Sequence, residues 1–178
     1  TMIRKFLTSL IIFIGLTTMV NAECNFKIAN FGSTKDNLNF DENLPQPFSM
    51  PDQFGGENLI MPLESICKND DKLYGTNLIL LYVDNRLIRI QLYRPIMQDR
   101  NLMDYAMNKY GIFNLPEGLP KDKWRGSYVW EKNNEIIEYI MTDIHDGHVE
   151  ILEISNKLYQ NEISNYNEKV GEWLDTRK

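Results

Sequence analysis

The sequence has few of the residues on which catalytic and metal sites depend. Its 178 residues include only two cysteines and two histidines. It contains no phosphate-holding glycine loop, no nucleophile turn of the Gly-x-Ser-x-Gly type and no zinc-protease helix motif. Basic residues are outnumbered, with 19 Lys and Arg against 25 Asp and Glu. This acidity disfavours nucleic acid and anionic membrane surfaces as partners, and the missing motifs favour a protein that is not an enzyme.

The N-terminal segment has the pattern of an export signal. Arg4 and Lys5 precede an apolar run over residues 6–20, and small residues follow at the positions that a signal peptidase reads. The run is shorter than the roughly 20 residues that span a bilayer. We therefore predict a cleaved signal peptide at residues 1–22, no stable membrane anchor after cleavage, and a periplasmic or secreted protein. Residues 23–178 suit one domain.

The two cysteines, Cys24 and Cys67, both follow the predicted cleavage point. Disulfides form and persist in oxidising compartments, which an exported protein reaches. The alternatives are a catalytic thiol or a metal ligand, and a nucleophilic thiol needs a base nearby. Since both histidines are distant in sequence, we predict a Cys24–Cys67 disulfide.

A hairpin over residues 78–93 is the strongest folding signal. The run at 78–83 is apolar at every position, which predicts a central strand buried on both faces. Asp84 and Asn85 tolerate the positive φ angles of a tight turn. From residue 86 the pattern alternates, which predicts Ile88, Ile90 and Leu92 on one face and Leu87, Arg89, Gln91 and Tyr93 on the other.

Further elements follow this hairpin in the chain. Asp99 or Asn101 can cap a helix that runs through Lys109 and is closed by Gly111. Strand patterns come next at 127–131, 135–142 and 149–155, which predict a three-strand meander. The fold prediction is α+β, with an antiparallel sheet of about five strands in the order hairpin, helix, meander.

The region before the hairpin, residues 25–66, mixes short apolar patterns with prolines and glycines. Residues 25–29 alternate as a short strand, and residues 41–56 contain three prolines and two glycines, which predicts a long proline-rich loop. Residues 59–66 are compatible with either a short helix or an extended strand. Whether a concave pocket opens between the proline-rich loop and the sheet stays open at this point.

The C-terminal residues 156–178 predict an amphipathic helix with a narrow apolar stripe. Two interpretations stay open, since the stripe can pack on its own domain or bind a protein partner. Gly171 weakens the last turns by about 1 kcal/mol relative to alanine. The stripe consists of Tyr159, Ile163, Tyr166, Val170 and Trp173.

One cluster has side chains of the metal-ligand type. Asp143, His145, Asp146 and His148 flank a predicted turn at Asp146 and Gly147, which would place the two histidines opposite each other. Two imidazoles and two carboxylates are compatible with zinc or copper. The same residues are also common in exposed turns, so the metal interpretation and the plain turn both stay open.

These observations support three hypotheses about function. The first is a small exported, non-enzymatic binding or accessory protein of the cell envelope, such as an inhibitor, an immunity-type factor or a complex subunit. It is favoured by the acidity and the absence of a catalytic motif. The second is a metal-dependent hydrolase or metal-binding protein that uses His145 and His148. The third is a structural envelope protein without a discrete ligand, and no cofactor is predicted.

Overall fold

The structure is a computed structural model, and it describes residues 24–38, 45–68, 71–95, 99–145 and 147–177. The predicted signal peptide at 1–22 lies outside these residues, as do Asp146 and the first part of the proline-rich loop. Within the described ranges, no helix is both long enough and apolar enough to cross a membrane.

Seven strands form one antiparallel sheet in the described part of the chain, and two α-helices accompany it. The order of the strands across the sheet is β1-β2-β3-β4-β7-β6-β5. In chain order the elements are β1 (Phe48–Pro51), β2 (Gly56–Pro62), β3 (Asn77–Val83), β4 (Arg86–Pro95), α1 (Asn101–Tyr110), β5 (Gly126–Lys132), β6 (Glu135–Ile144), β7 (Gly147–Asn156) and α2 (Gln160–Asp175).

The α+β class, the antiparallel sheet and the C-terminal helix are confirmed, but the prediction of about five strands is two strands short. The additional strands are β1 and β2, which lie in or beside the predicted proline-rich loop. Proline is tolerated there because β1 is an edge strand, which leaves one side of its backbone unpaired. Residues 25–29, predicted as a strand, have no regular secondary structure.

The central hairpin has the predicted turn but a different alternation. Asp84 and Asn85 have φ angles of 48° and 60°, as a tight turn with two left-handed residues requires. Leu81 pairs with Arg89 while Tyr82 pairs with Leu87, so β4 contains a bulge at Ile88. Ile88 therefore points to the opposite face from Ile90 and Leu92, which corrects the strict alternation predicted from residue 86.

One face of the sheet, here called the closed face, carries the main core. Its strand residues include Leu59, Leu80, Ile90, Leu152 and Ile137, all of which are buried. They pack with α1, the loop after it, the N-terminal segment and the connection between β2 and β3, which contribute Phe26, Leu63, Leu73, Leu102, Met103, Ala106, Phe113 and Trp124.

The N-terminal segment crosses the closed face and is fastened at several points. The predicted disulfide joins Cys24 and Cys67, with a Cα–Cα distance of 5.3 Å. Lys27 Nζ donates to Glu135 on β6 at 2.6 Å, and the backbone of Gly32 donates to Leu87 O at 2.8 Å. A disulfide is compatible with an oxidising, exported location.

The opposite face, here called the open face, has much less cover. Among the described elements α2 packs against it, where Ile163, Tyr159 and Tyr166 contact the apolar side chains Leu81, Ile88 and Val83. Farther from α2, most strand residues on this face are half-buried or exposed, although Val149 near the start of β7 is buried.

Candidate functional site

The C-terminal stripe lies mainly on its own domain. Ile163 is buried against Leu81 and Ile88, and Tyr159 and Tyr166 pack beside it. Nearer the end of α2, the ring of Trp173 meets Phe54 edge-on with the ring centroids 5.9 Å apart. Val170 is half-buried. The apolar surface of α2 thus covers one part of the open face and the segment after β1.

Two glycines allow this close packing. A Cβ atom at Gly32 would overlap the Tyr159 hydroxyl, and one at Gly56 would overlap the Tyr166 ring. Gly32 also has a φ angle of 82°, a conformation that other residues rarely adopt. The Tyr166 hydroxyl donates to Asp52, so α2 also holds the turn between β1 and β2.

The histidine turn differs from its predicted geometry. Asp143 pairs with His148 and Ile144 with Gly147, so His145 occupies the turn itself and does not face His148. Asp143 accepts hydrogen bonds from Arg125 Nε at 2.6 Å and from His148. The Arg125 bond lowers the pKa of Asp143, and the His148 bond adds to this effect.

Arg125 also weakens the case for a metal at this turn. Its Nη2 atom lies 2.8 Å from each ring nitrogen of His148, and a guanidinium in this position repels a second cation. In the described part of the chain, no three Cys, His, Asp or Glu residues are grouped so as to hold a metal ion.

A buried polar network joins α1 to the closed face. Glu150 Oε1 accepts from the backbone nitrogen of Met103 at 3.0 Å and from the Tyr139 hydroxyl at 2.8 Å. Arg94 lies beside Glu150 and donates to Asp99 at 2.9 Å. The N-cap residue of α1, Arg100, makes no side-chain hydrogen bond to the first turn of the helix. Glu150, on the distant strand β7, instead accepts from a backbone N–H of that turn, and its negative charge is favourable at a helix N-terminus. We assign this network to folding.

The open face has an apolar surface that extends to both edges of the sheet. Phe48 on β1 is 66% exposed and Val129 on β5 is 47% exposed. Between these edges, Ile60 pairs with both Phe48 and Ile79. In the neighbouring row, Ile151 pairs with both Tyr93 and Ile140, and all three are half-buried.

Two carboxylates lie in the middle of this apolar surface. Glu138 and Glu153 are direct cross-strand partners on β6 and β7. Arg89 Nε lies 3.0 Å from Glu153, and Gln91 donates to Glu153 at 3.4 Å. Glu138 has no ion-pair partner among the residues that the structure describes. Burial raises the pKa of Glu153, and the charge of Glu138 raises it further.

The carboxylate pair was not predicted from the sequence, although a signal for it existed. Glu138 alternates with the closed-face residues Ile137 and Tyr139, and Glu153 alternates with Leu152 and Ile154. This parity places both glutamates on the face opposite the core. Their pairing depends on the register in which Ile144 pairs with Gly147, and the predicted turn at Asp146 and Gly147 was one residue too late.

Searches against protein-family models, curated proteins and solved structures found no match to this chain. The proposals below therefore depend on the geometry of the chain itself.

Proposed function

We propose that this chain is a small exported, non-enzymatic binding protein that docks another protein on the open face of its sheet. The observation that carries the proposal is the apolar surface from Phe48 to Val129, of which α2 covers only one part. Exposed apolar surface, here interrupted by Gln91, Glu153 and Glu138, is typical of a protein interaction site. The disulfide is compatible with an oxidising location, and the export signal predicted from the N-terminal sequence agrees with it.

The charges on the open face define the chemistry of the partner. Like charges opposite each other on neighbouring strands are destabilising, and Arg89 compensates only part of the charge of Glu138 and Glu153. A partner with apolar side chains around one Lys or Arg would cover the apolar rows and neutralise Glu138. Desolvated charge pairs of this type fix the register and specificity of an interface.

Site-specific photocrosslinking in the cells that produce the chain tests this proposal. A photoreactive amino acid at Tyr93 reports on the open face, while the same group at Ile112, 82% exposed in the loop after α1, is the matched control. We expect one defined protein to crosslink from position 93 and not from position 112.

Charge reversal then tests the chemistry of the interface. With the crosslinked partner purified, we expect Glu138→Lys to weaken binding at least tenfold and a Lys→Glu or Arg→Glu change in the partner to restore it. The control is Glu117→Lys, which changes an exposed carboxylate in the loop after α1, away from the open face. Equal crosslinking from both positions, or equal effects of the two reversals, would contradict the assignment.

A further inference from the structure

The two edges of the sheet differ in how well they resist the addition of a further strand. β1 has only four residues and ends at Pro51, and both features discourage strand addition. β5 has seven residues without a proline, and its pairing with β6 contains no bulge. Every residue of β5 except Trp130 is exposed. β5 is therefore the edge that can accept a further strand.

The backbone of β5 has unpaired groups that point away from the sheet. The hairpin of β5 and β6 closes with the pair Lys132 and Glu135 across a two-residue turn, and such a closing pair is hydrogen-bonded. Hydrogen-bonded and open pairs alternate along antiparallel strands, so every second residue of β5 turns its N–H and C=O groups away from β6. Those residues are Ser127, Val129 and Glu131. In the part of the chain that the structure describes, no backbone group from outside the strands bonds to them.

An antiparallel copy of β5 can pair with this unpaired backbone. Hydrogen bonds form only where the outward groups of one strand lie opposite the outward groups of the other. With Val129 on a two-fold axis, it pairs with the same residue of the second copy, and Ser127 pairs with Glu131. The Ser127 hydroxyl can then donate to the Glu131 carboxylate. This register uses the whole length of β5.

The other side chains of β5 suit the same register. Tyr128 lies opposite Trp130 of the second copy, at the closer, non-hydrogen-bonded positions, where aromatic pairs stabilise a sheet. Tyr128 is 39% exposed, so it has surface left for this contact. Lys132 lies opposite Gly126, so no like charges lie directly opposite each other. The sequence of β5 is therefore complementary to itself.

We propose that β5 pairs antiparallel with β5 of a second copy of this chain, with Val129 on the two-fold axis, so that the two sheets become one continuous sheet. A two-fold interface needs one self-complementary surface, and β5 provides it. Seven residues from each copy form a small interface, so the dimer is reversible and depends on concentration. Strand addition uses the edge of the sheet, so the dimer forms with or without the partner proposed for the open face.

Analytical ultracentrifugation of the disulfide-bonded protein, purified from the cells that produce it, tests the proposal. We expect the mean mass to rise from one copy toward two as the protein concentration increases to about 1 mM. A monomer throughout this range would overturn the proposal and would leave β5 to an extended segment of another protein. Growth beyond two copies would also overturn it, because it would indicate association through a second surface.

Charged variants at Val129 test the register. Val129 is 47% exposed, so Val129→Lys should fold normally and weaken dimerisation by about tenfold or more, because like charges then lie directly opposite each other. Val129→Glu should have the same effect. An equimolar mixture of the two variants should dimerise again, since opposite charges then meet on the axis.

The matched control is Met50→Lys on β1, where the side chain is 48% exposed at the other edge of the sheet. This variant should dimerise like the wild type, and circular dichroism should show that all three variants are folded. Unchanged dimerisation of Val129→Lys, or a mixture that associates no more than either variant alone, would overturn the proposal. Loss of the dimer in Met50→Lys would also overturn it, because β1 would then be the interface.

Discussion

The two faces of the sheet differ in cover, although the same strands form both. On the closed face, α1, the N-terminal segment and several loops pack on the strands and bury their apolar side chains. On the open face, α2 buries Leu81 and Ile88 but leaves Ile79 and Tyr93 half-buried. Since apolar side chains alternate between the faces of β3, composition alone does not separate the residues that stabilise the fold from those available for binding.

The largest expected effect comes from two neighbouring residues of β3. Leu80 is fully buried on the closed face, so Leu80→Ala should lower the free energy of unfolding by about 2–5 kcal/mol. Ile79 is half-buried on the open face, so Ile79→Ala should cost only about 1 kcal/mol. Denaturant unfolding measures both. Similar losses would mean that the open face is as well packed as the closed one.

A smaller effect is expected where α2 meets the open face. Gly56→Ala places a methyl group against the Tyr166 ring, and overpacking of this kind typically costs about 1–3 kcal/mol. The control is Gly171→Ala within α2, which meets no atom within 4 Å and should stabilise the protein by about 1 kcal/mol. Thermal unfolding of the two variants should therefore shift in opposite directions. A stable Gly56→Ala variant would show that α2 is only loosely docked.

The smallest expected effect is a pH dependence from the open face. Burial, aided by Glu138 and opposed by Arg89 and Gln91, raises the pKa of Glu153 above its ordinary 4.5. The folded state then binds the proton more tightly than the unfolded state, so Glu153 lowers stability as pH rises from 4.5 through its folded pKa. Over that window, Glu153→Gln should gain stability relative to the wild type.

Denaturant unfolding between pH 4 and pH 8 measures this difference. Glu131→Gln is the control: the Lys157 hydrogen bond lowers the pKa of Glu131, so the difference between that variant and the wild type should be constant above pH 4.5 and change only at lower pH. A constant difference between Glu153→Gln and the wild type would show that Glu153 is fully solvated on the open face.

The sequence predicts elements whose signals are local. The turn at Asp84 and Asn85, the helix ended by Gly111 and the disulfide are all found as predicted. The α+β class follows from the order of these elements. The bounds of α1 also follow closely from its pattern, because the apolar spacing of Leu102, Met103 and Ala106 matches one helical face.

Features that depend on partners distant in the sequence were missed. Pro51 and Gly56 placed β1 and the start of β2 in a predicted loop, while residues 59–66 were left open between helix and strand. The pairing of β1 with β2 and of β2 with β3 overrides this local preference. The bulge at Ile88 turns this side chain to the face opposite Ile90, and the sequence contains no signal for the bulge. The hydrogen bond from Tyr166 to Asp52 joins residues far apart in the chain, so no spacing rule could have found it.

One strand pair, β4 with β7, carries the largest loss of chain entropy when the sheet forms. The strands β1–β4 pair with their neighbours in sequence, and so do β5–β7, so these ladders close short loops. The two groups of strands join through the pairing of β4 with β7, which runs from Arg89–Ser155 to Pro95–Val149. The helix α1 and the strands β5 and β6 lie between these partners in the chain, so forming the β4–β7 pair closes the longest loop of the sheet. It is therefore the pairing of highest contact order in the sheet, and it is also what brings Glu153 beside Gln91 to form a single open face.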